Sequence, residues 1–122
     1  MATLATERTA EPTPTGLVVG LATTSTIEEA KSIADHLVGN HLAACVQLVP
    51  AIESVYQWKG KIEKSSEVLL IIKTQRSNAQ LVVDAIKQQH SYDVPEVVFT
   101  DIVDGNADYI NWARAAMQPK TL

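Results

Sequence analysis

The longest pattern in the chain is a pair of β-type runs between Leu42 and Thr74, joined at Trp58-Lys59-Gly60-Lys61. Both runs are rich in β-branched and aromatic residues, and the glycine suits a tight reversal, so we predict one long hairpin. Each arm of about 14 residues is roughly 45 Å long if straight, whereas a ~100-residue domain has a radius of gyration of about 13 Å. The hairpin therefore either bends, with a bulge or break at Pro50, or packs its far end on another subunit.

A strand and a helix are predicted before the hairpin. The apolar run GLVVGLAT, from Gly16 to Thr23, is typical of a buried strand. Apolar residues then recur at helical spacing from Ile27 to Val38. Ser25 and Glu28 have the spacing of a capping box at the start of this helix, and Gly39-Asn40 predicts a left-handed stop at its end.

A second helix, a strand and a third helix are predicted after the hairpin. Ser77 and Gln80 repeat the capping-box spacing and open the second helix. Pro95 predicts a loop, because it lacks a backbone donor and keeps the preceding residue out of helical space. Residues 97–103 form the last predicted strand, and Asn106 is the predicted N-cap of the third helix.

This order of elements predicts an α+β fold of the ferredoxin-like βαββαβ type with an extra C-terminal helix. Such a fold has an antiparallel sheet with both crossover helices on one face. The central run Val68–Ile72 is apolar throughout and is predicted to be buried on both faces. The sheet face without helices favours self-association. The predicted domain covers residues 16–117, between a disordered leader (1–15) and a short tail (118–122).

Composition and charge narrow the function classes. The 122 residues suit one domain, and a net charge of −4 without a basic stripe argues against nucleic acid as a partner. No apolar run reaches the ~20 residues that span a bilayer, so no membrane association is expected. The N-terminus lacks a secretory signal, and the single cysteine, Cys45, fits a reducing compartment, so we expect a cytoplasmic protein. No catalytic signature is present, and we expect no enzymatic activity.

Five residues could nevertheless carry chemistry. Cys45, in an apolar strand, is either a small hydrophobe or the nucleophile of a small enzyme. His90 is either a helix-end residue or a metal ligand. Tyr92 and Glu96 flank a proline whose rigid backbone could hold polar groups toward a cleft. Lys73 directly follows the apolar run, so its ammonium must reach solvent or meet a carboxylate.

Several separated motifs closely resemble the CutA divalent-cation tolerance proteins. The resemblance covers Gly16 to Ala116 and implies a homotrimer built like the PII signalling proteins, in which the hairpin reaches across to a neighbouring subunit. Trp58 at the turn, with Tyr56 and Trp112, is then expected at the trimer interface. The motifs are Leu42-Ala43-Ala44-Cys45-Val46, Tyr56-x-Trp58-x-Gly60-Lys61-Ile62, Glu67-x-x-Leu70-x-x-Lys73-Thr74, His90-x-Tyr92-x-x-Pro95-Glu96 and Gly105-Asn106-x-x-Tyr109-x-x-Trp112.

The resemblance implies tolerance of divalent cations, copper above all, without catalysis. The enterobacterial member is credited with a copper site made by a first-strand cysteine and two adjacent histidines. Here Ala22 and Gln89 stand at two of those positions and only His90 remains. One imidazole is a poor Cu(II) site, so weak binding of Cu(II) or another divalent cation is expected from His90 with Glu96 or Cys45, or from His90 repeated across subunits.

The alternative is a PII-like small-molecule sensor or adaptor. In this hypothesis the same polar residues line a pocket between subunits rather than a metal site. The pocket residues are predicted to be Cys45, Lys73, His90, Tyr92 and Glu96.

Overall fold

The computed structural model describes residues 14 to 119, and most of the predicted leader and tail lies outside them. The described chain forms a four-stranded antiparallel sheet in the order β2-β3-β1-β4, with three helices. A 3-10 turn, Arg76–Asn78, precedes the second helix. The elements are β1 Leu17–Thr24, α1 Ile27–Gly39, β2 Cys45–Trp58, β3 Lys61–Gln75, α2 Ala79–Gln89, β4 Val97–Ile102 and α3 Ala107–Ala116.

The first predicted cap is wrong by one residue. Thr26, not Ser25, is the N-cap of α1, and its hydroxyl accepts the backbone N–H of Glu29 at 3.2 Å. Ser25 and Thr26 are adjacent and both are residue types that favour the N-cap position. Which of them becomes the cap is decided by the direction in which the chain leaves β1. The left-handed residue after α1 is also further along than predicted, because His41 has φ 60° whereas Asn40 has φ −101°.

Of the caps predicted for the other two helices, one is wrong and one is confirmed. Ser77 lies inside the 3-10 turn, and α2 begins at Ala79 without a side-chain cap, so the second capping box is wrong. The third prediction is confirmed, since the side chain of Asn106 accepts the N–H of Asp108 at 2.9 Å at the start of α3.

The long hairpin is confirmed, with both a tight turn and a bulge. Lys59 and Gly60 both have positive φ, 51° and 80°, which is the geometry that lets a two-residue turn follow the twist of the strands. The register runs from Trp58↔Lys61 to Ile52↔Glu67 and resumes at Val49↔Leu69. One extra residue of β2 is therefore accommodated beside Pro50, at the predicted position, on an edge strand where proline is tolerated.

The main core lies between α1, α2 and one face of the sheet. Val68, Leu70 and Ile72 point into it and are at most 4% exposed. Leu69 and Ile71 point to the other face and are only partly buried, so the prediction of burial on both faces is wrong for this run. The reason is that α1 and α2 cover only one face. The fully buried members of the core include Ala30, Leu37, Leu70, Ile72, Val82 and Ile86.

The second face is not bare along its whole length. At one end α3 packs Ile110, Ala113 and Met117 against the sheet beside Leu17. The described end of the predicted leader is also ordered: Thr15 is 5% exposed, and its hydroxyl donates to a backbone carbonyl of β4. The remainder of this face carries apolar side chains that no other described part of the chain covers. None of the helices within residues 14–119 is long and apolar enough to cross a membrane.

Candidate functional site

A groove lies between the far part of the hairpin and the loop that follows α2. It encloses about 470 Å³. We call it the acidic–aromatic groove, because its lining contains three carboxylates and three aromatic rings and no lysine, arginine or histidine. It is lined by Thr23, Tyr56, Trp58, Glu67, Tyr92, Asp93, Val94 and Glu96.

Glu67 is the most buried charged residue of the groove. It lies on β3 opposite Ile52, immediately beyond the bulge, and is only 8% exposed. Its Oε2 accepts the hydroxyl of Tyr92 at 3.0 Å, and within residues 14–119 no other hydrogen bond or ion pair reaches the carboxylate. A buried carboxylate with one neutral partner is costly in a protein interior, because its charge is neither solvated nor balanced.

Tyr92 holds its proton more tightly than an ordinary tyrosine. Burial, followed by the hydrogen bond to Glu67 and the charge of that carboxylate, raises the pKa of Tyr92 from 10.0 to about 12. The phenol therefore remains neutral at physiological pH and continues to donate to Glu67. Together they join the loop after α2 to strand β3 across the groove.

His90 holds this loop in place with both of its ring nitrogens. Nε2 lies 2.6 Å from the carbonyl oxygen of Thr23, and Nδ1 accepts the backbone N–H of Tyr92 at 3.0 Å. A carbonyl can only accept and an amide N–H can only donate, so the ring is the neutral tautomer protonated on Nε2. Its ring also packs on that of Tyr92, with centroids 4.6 Å apart. No nitrogen lone pair of His90 is left for a metal in this arrangement.

Cys45 and Lys73 lie elsewhere. They face each other on β2 and β3, and Lys73 lies six positions after Glu67 on β3, which is roughly 20 Å along a strand. Of the two predicted alternatives for Lys73, solvent or a carboxylate, the structure favours solvent, because its ammonium donates to the side-chain oxygen of Gln47 at an exposed position. Near this pair, burial raises the pKa of Tyr109, and the electrostatic interaction and the hydrogen bond with Cys45 raise it further.

Within one chain, the five residues predicted to line a pocket between subunits do not lie together. Tyr92 and Glu96 line the groove, and His90 supports it from behind, whereas Cys45 and Lys73 belong to the opposite end of the hairpin. The predicted metal set of Cys45, His90 and Glu96 does not come together within one chain. Among residues 14–119, no group of three or more histidine, cysteine, aspartate or glutamate side chains is arranged to hold a metal ion.

The structure adds Glu67 and Asp93, which the sequence reasoning did not select. Lys73 was selected because it borders the apolar run from Val68 to Ile72, and the same argument applies to Glu67 at the other end of that run. A carboxylate directly beside a buried strand segment was thus a usable signal. The sequence contains no comparable signal for Asp93, since it is one of several polar residues in an exposed loop.

The predicted interface residues lie at the surface of the single chain. Tyr56 and Trp58 are 43% and 60% exposed on the hairpin, and Trp112 is 51% exposed on α3 beside Tyr109, with ring centroids 5.6 Å apart. Exposed rings of this size are typical of interaction surfaces.

Comparison with known families gives one consistent result. Residues 18–116 match the model of the CutA1 divalent ion tolerance protein family. The human protein named CutA is 48% identical over 85 residues, which cover 70% of this chain and 48% of the relative. A divalent-cation tolerance protein CutA from Pectobacterium atrosepticum is 40% identical over 89 residues, covering 73% of this chain and 81% of the relative. The chain spans about half the length of the human and plant relatives that it matches.

Solved structures agree with the sequence relatives. CutA1 from Oryza sativa superposes with a TM-score of 0.82 at 39% identity, covering 85% of this chain and 95% of the other. The divalent cation tolerance protein from Thermus thermophilus superposes with a TM-score of 0.80 at 38% identity, covering 82% and 97%. At this level of identity, the similarity concerns the family as well as the shape.

Proposed function

Because the chain belongs to the CutA1 divalent ion tolerance family, we propose that it contributes to divalent-cation tolerance as a homotrimer, without catalysing a reaction. The protomer is proposed to be ferredoxin-like and the trimer PII-like, in keeping with the sheet order β2-β3-β1-β4 and with α1 and α2 on one face. A cytoplasmic location is proposed from the free thiol of Cys45.

The observation that carries the trimer proposal is the uncovered apolar surface of the hairpin and the second sheet face. Trp58 and Ile62 near the turn are 60% and 74% exposed, and Val98 on β4 is 53% exposed. Large apolar side chains left in water on the hairpin and on this sheet face are typical of an interaction surface. A closed three-fold assembly covers the same patch on every subunit.

The mass in solution tests this part of the proposal. Light scattering at micromolar protein concentration is expected to give three times the chain mass. A single-chain mass that persists as the concentration is raised would overturn it, since the apolar surface would then remain exposed without self-association.

We further propose that Cu(II) or another divalent cation binds weakly at the acidic–aromatic groove, through Glu96 with donors from a neighbouring subunit. Glu96 is exposed and its carboxylate makes no hydrogen bond or ion pair within the described residues. His90 takes part only if its ring first releases Thr23 or Tyr92, which costs one of its two hydrogen bonds. Cys45 is too far from the groove to contribute from the same chain.

Calorimetry with Cu(II) at pH 7 separates these donors. Glu96→Gln is expected to weaken binding clearly, while His90→Ala leaves it nearly unchanged. Glu53→Gln is the matched control, because Glu53 lies opposite Ser66 and is exposed outside the groove. If His90→Ala abolishes binding and Glu96→Gln does not, the imidazole is the ligand and our assignment is wrong.

A small-molecule sensor or adaptor is the second candidate function, favoured by the groove itself. Its volume of about 470 Å³ is in the range of small-ligand sites, and it combines aromatic walls with a few polar groups. A thermal-shift screen of metabolites on the trimer tests it, and a ligand that raises the melting temperature only while Glu67 is intact supports it.

A further inference from the structure

We infer that the acidic–aromatic groove binds a small organic ammonium ion, with its charge at Glu67 and its apolar part against the aromatic rings. This inference names the ligand class for the sensor or adaptor role proposed above, and it rests on that role. It follows from two independent features of the groove, the unbalanced charge of one buried carboxylate and the character of the walls around it.

The charge argument begins with Glu67. The residue is 8% exposed and lines the groove, yet only its Oε2 is hydrogen-bonded, and within residues 14–119 no cation pairs with it. Asp93 and Glu96 add two more carboxylates, and the lining contains no positive side chain. A bound cation would supply the missing counter-charge, whereas a phosphate or carboxylate ligand would meet three negative groups at close range.

The walls select an organic cation. Tyr56, Trp58 and Tyr92 present three rings to a groove of about 470 Å³, much larger than a bare ion needs. Aromatic faces attract ammonium groups and bury apolar carbon, but they supply no ligand to a metal. The Trp58 ring already attracts such a group, since the ammonium of Lys59 lies 5.9 Å from its centroid.

Three probes of similar size and different charge test the inference on the full-length protein at pH 7. Benzylamine is a cation, benzyl alcohol is neutral and benzoate is an anion. Calorimetry is expected to give a Kd of about 1 mM for benzylamine, typical of so small a ligand. Binding of the alcohol and of benzoate is expected to be at least about tenfold weaker. Equal binding of benzylamine and benzyl alcohol would overturn the charge argument.

Variants and spectra locate the binding. Glu67→Gln keeps the shape and the acceptor for Tyr92 but removes the charge, and it is expected to weaken benzylamine binding about tenfold or more. Glu53→Gln makes the same chemical change outside the groove and is expected to have no effect. Benzylamine should shift the indole N–H signal of Trp58 and leave that of Trp112, on α3, unchanged. If Glu67→Gln fails to fold, this spectrum of the wild-type chain decides the matter alone.

The outcomes distinguish this inference from the proposed function. If benzylamine neither binds nor shifts Trp58 while the protein is trimeric and takes up Cu(II), the ammonium site is wrong and the metal proposal stands. If the protein is monomeric or ignores Cu(II) yet binds benzylamine through Glu67, the metal-tolerance proposal fails and the site stands. A shift of Trp112 instead of Trp58 places the binding elsewhere and overturns the inference.

Discussion

The two halves of the long hairpin form the same backbone ladder but differ in almost everything that stabilises them. In the near half, between the bulge and the helices, Leu70 and Ile72 are fully buried beneath α1 and α2. In the far half, between the bulge and the turn, Trp58 and Ile62 are mostly exposed, although the register continues unbroken to the turn. Cross-strand hydrogen bonds therefore extend further than the core does.

This difference shows what each half requires. An isolated two-stranded hairpin is only marginally stable in water, and within residues 14–119 no third strand and no helix pairs with the far half. Its apolar side chains gain little by remaining exposed. The near half folds with the protomer, whereas the far half is suited to be covered by another chain.

The largest effect is expected in the near half. Leu70→Ala should lower the free energy of unfolding by about 2–5 kcal/mol, because Leu70 is fully buried and the substitution leaves a cavity. Urea denaturation measures this. Leu81→Ala is the matched control, since Leu81 is 51% exposed on α2 and should cost less than about 1 kcal/mol. Equal losses in the two variants would mean that burial in the protomer does not distinguish them.

In the far half, the expected loss is in association rather than in folding. Trp58→Ala should weaken trimer formation by about 2 kcal/mol or more per contact, as for other exposed aromatic anchors. Light scattering across a dilution series measures this, with far-ultraviolet circular dichroism to check that the protomer is intact. An unchanged dilution curve would remove the hairpin tip from the proposed interface.

At the junction of the two halves, His90→Ala should cost about 1–2 kcal/mol. It removes the bonds to the carbonyl of Thr23 and to the N–H of Tyr92, and it leaves both backbone groups to find water. Thermal unfolding measures the loss. His36→Ala, on the exposed side of α1, serves as the control. If both variants lose the same stability, the two hydrogen bonds of the His90 ring do not stabilise the fold.

The smallest effect is expected from Tyr92→Phe, about 1 kcal/mol at neutral pH, because one hydrogen bond to Glu67 is lost. The pKa of Tyr92 is raised in the folded protein from 10.0 to about 12. Tyr92 therefore contributes fully to the stability of the fold below its pKa in the unfolded chain. This contribution is lost as the pH rises through its pKa in the folded protein.

Denaturation at a series of alkaline pH values tests this sign. The wild type should lose stability between pH 10 and 12, the interval set by the two pKa values, and Tyr92→Phe should lose less. In the phenolate absorbance titration, the variant should lack the component that titrates near pH 12. A late component that survives in Tyr92→Phe would assign it to another tyrosine.

The local pattern predicted most of the element order but not all of its boundaries. Hydrophobic periodicity located the helices, and the glycine at the turn located the reversal, because both are short-range signals. The caps failed where two candidates overlapped, as at Ser25 and Thr26, or where a 3-10 turn intervened, as at Ser77. Which residue becomes the N-cap depends on where the preceding strand ends.

The candidate site was predicted in part. The loop carrying His90, Tyr92 and Glu96 was selected because a proline beside polar residues marks a rigid loop. Cys45 and Lys73, which are predicted to join these residues in a pocket between subunits, lie within one chain in the half of the hairpin that is next to the core. Glu67, which lines the groove, was passed over.

The sequence by itself determined the order of the elements, the long hairpin with its turn and bulge, and the family. Those features follow from residue types and spacings over a few positions. Only the tertiary structure decided that Glu67 is buried, that Tyr92 donates to it, and that both nitrogens of His90 are engaged. These contacts join residues from 25 to 67 positions apart, apart from the bond between His90 and Tyr92, and they depend on strand register and on how the loop after α2 lies over the sheet.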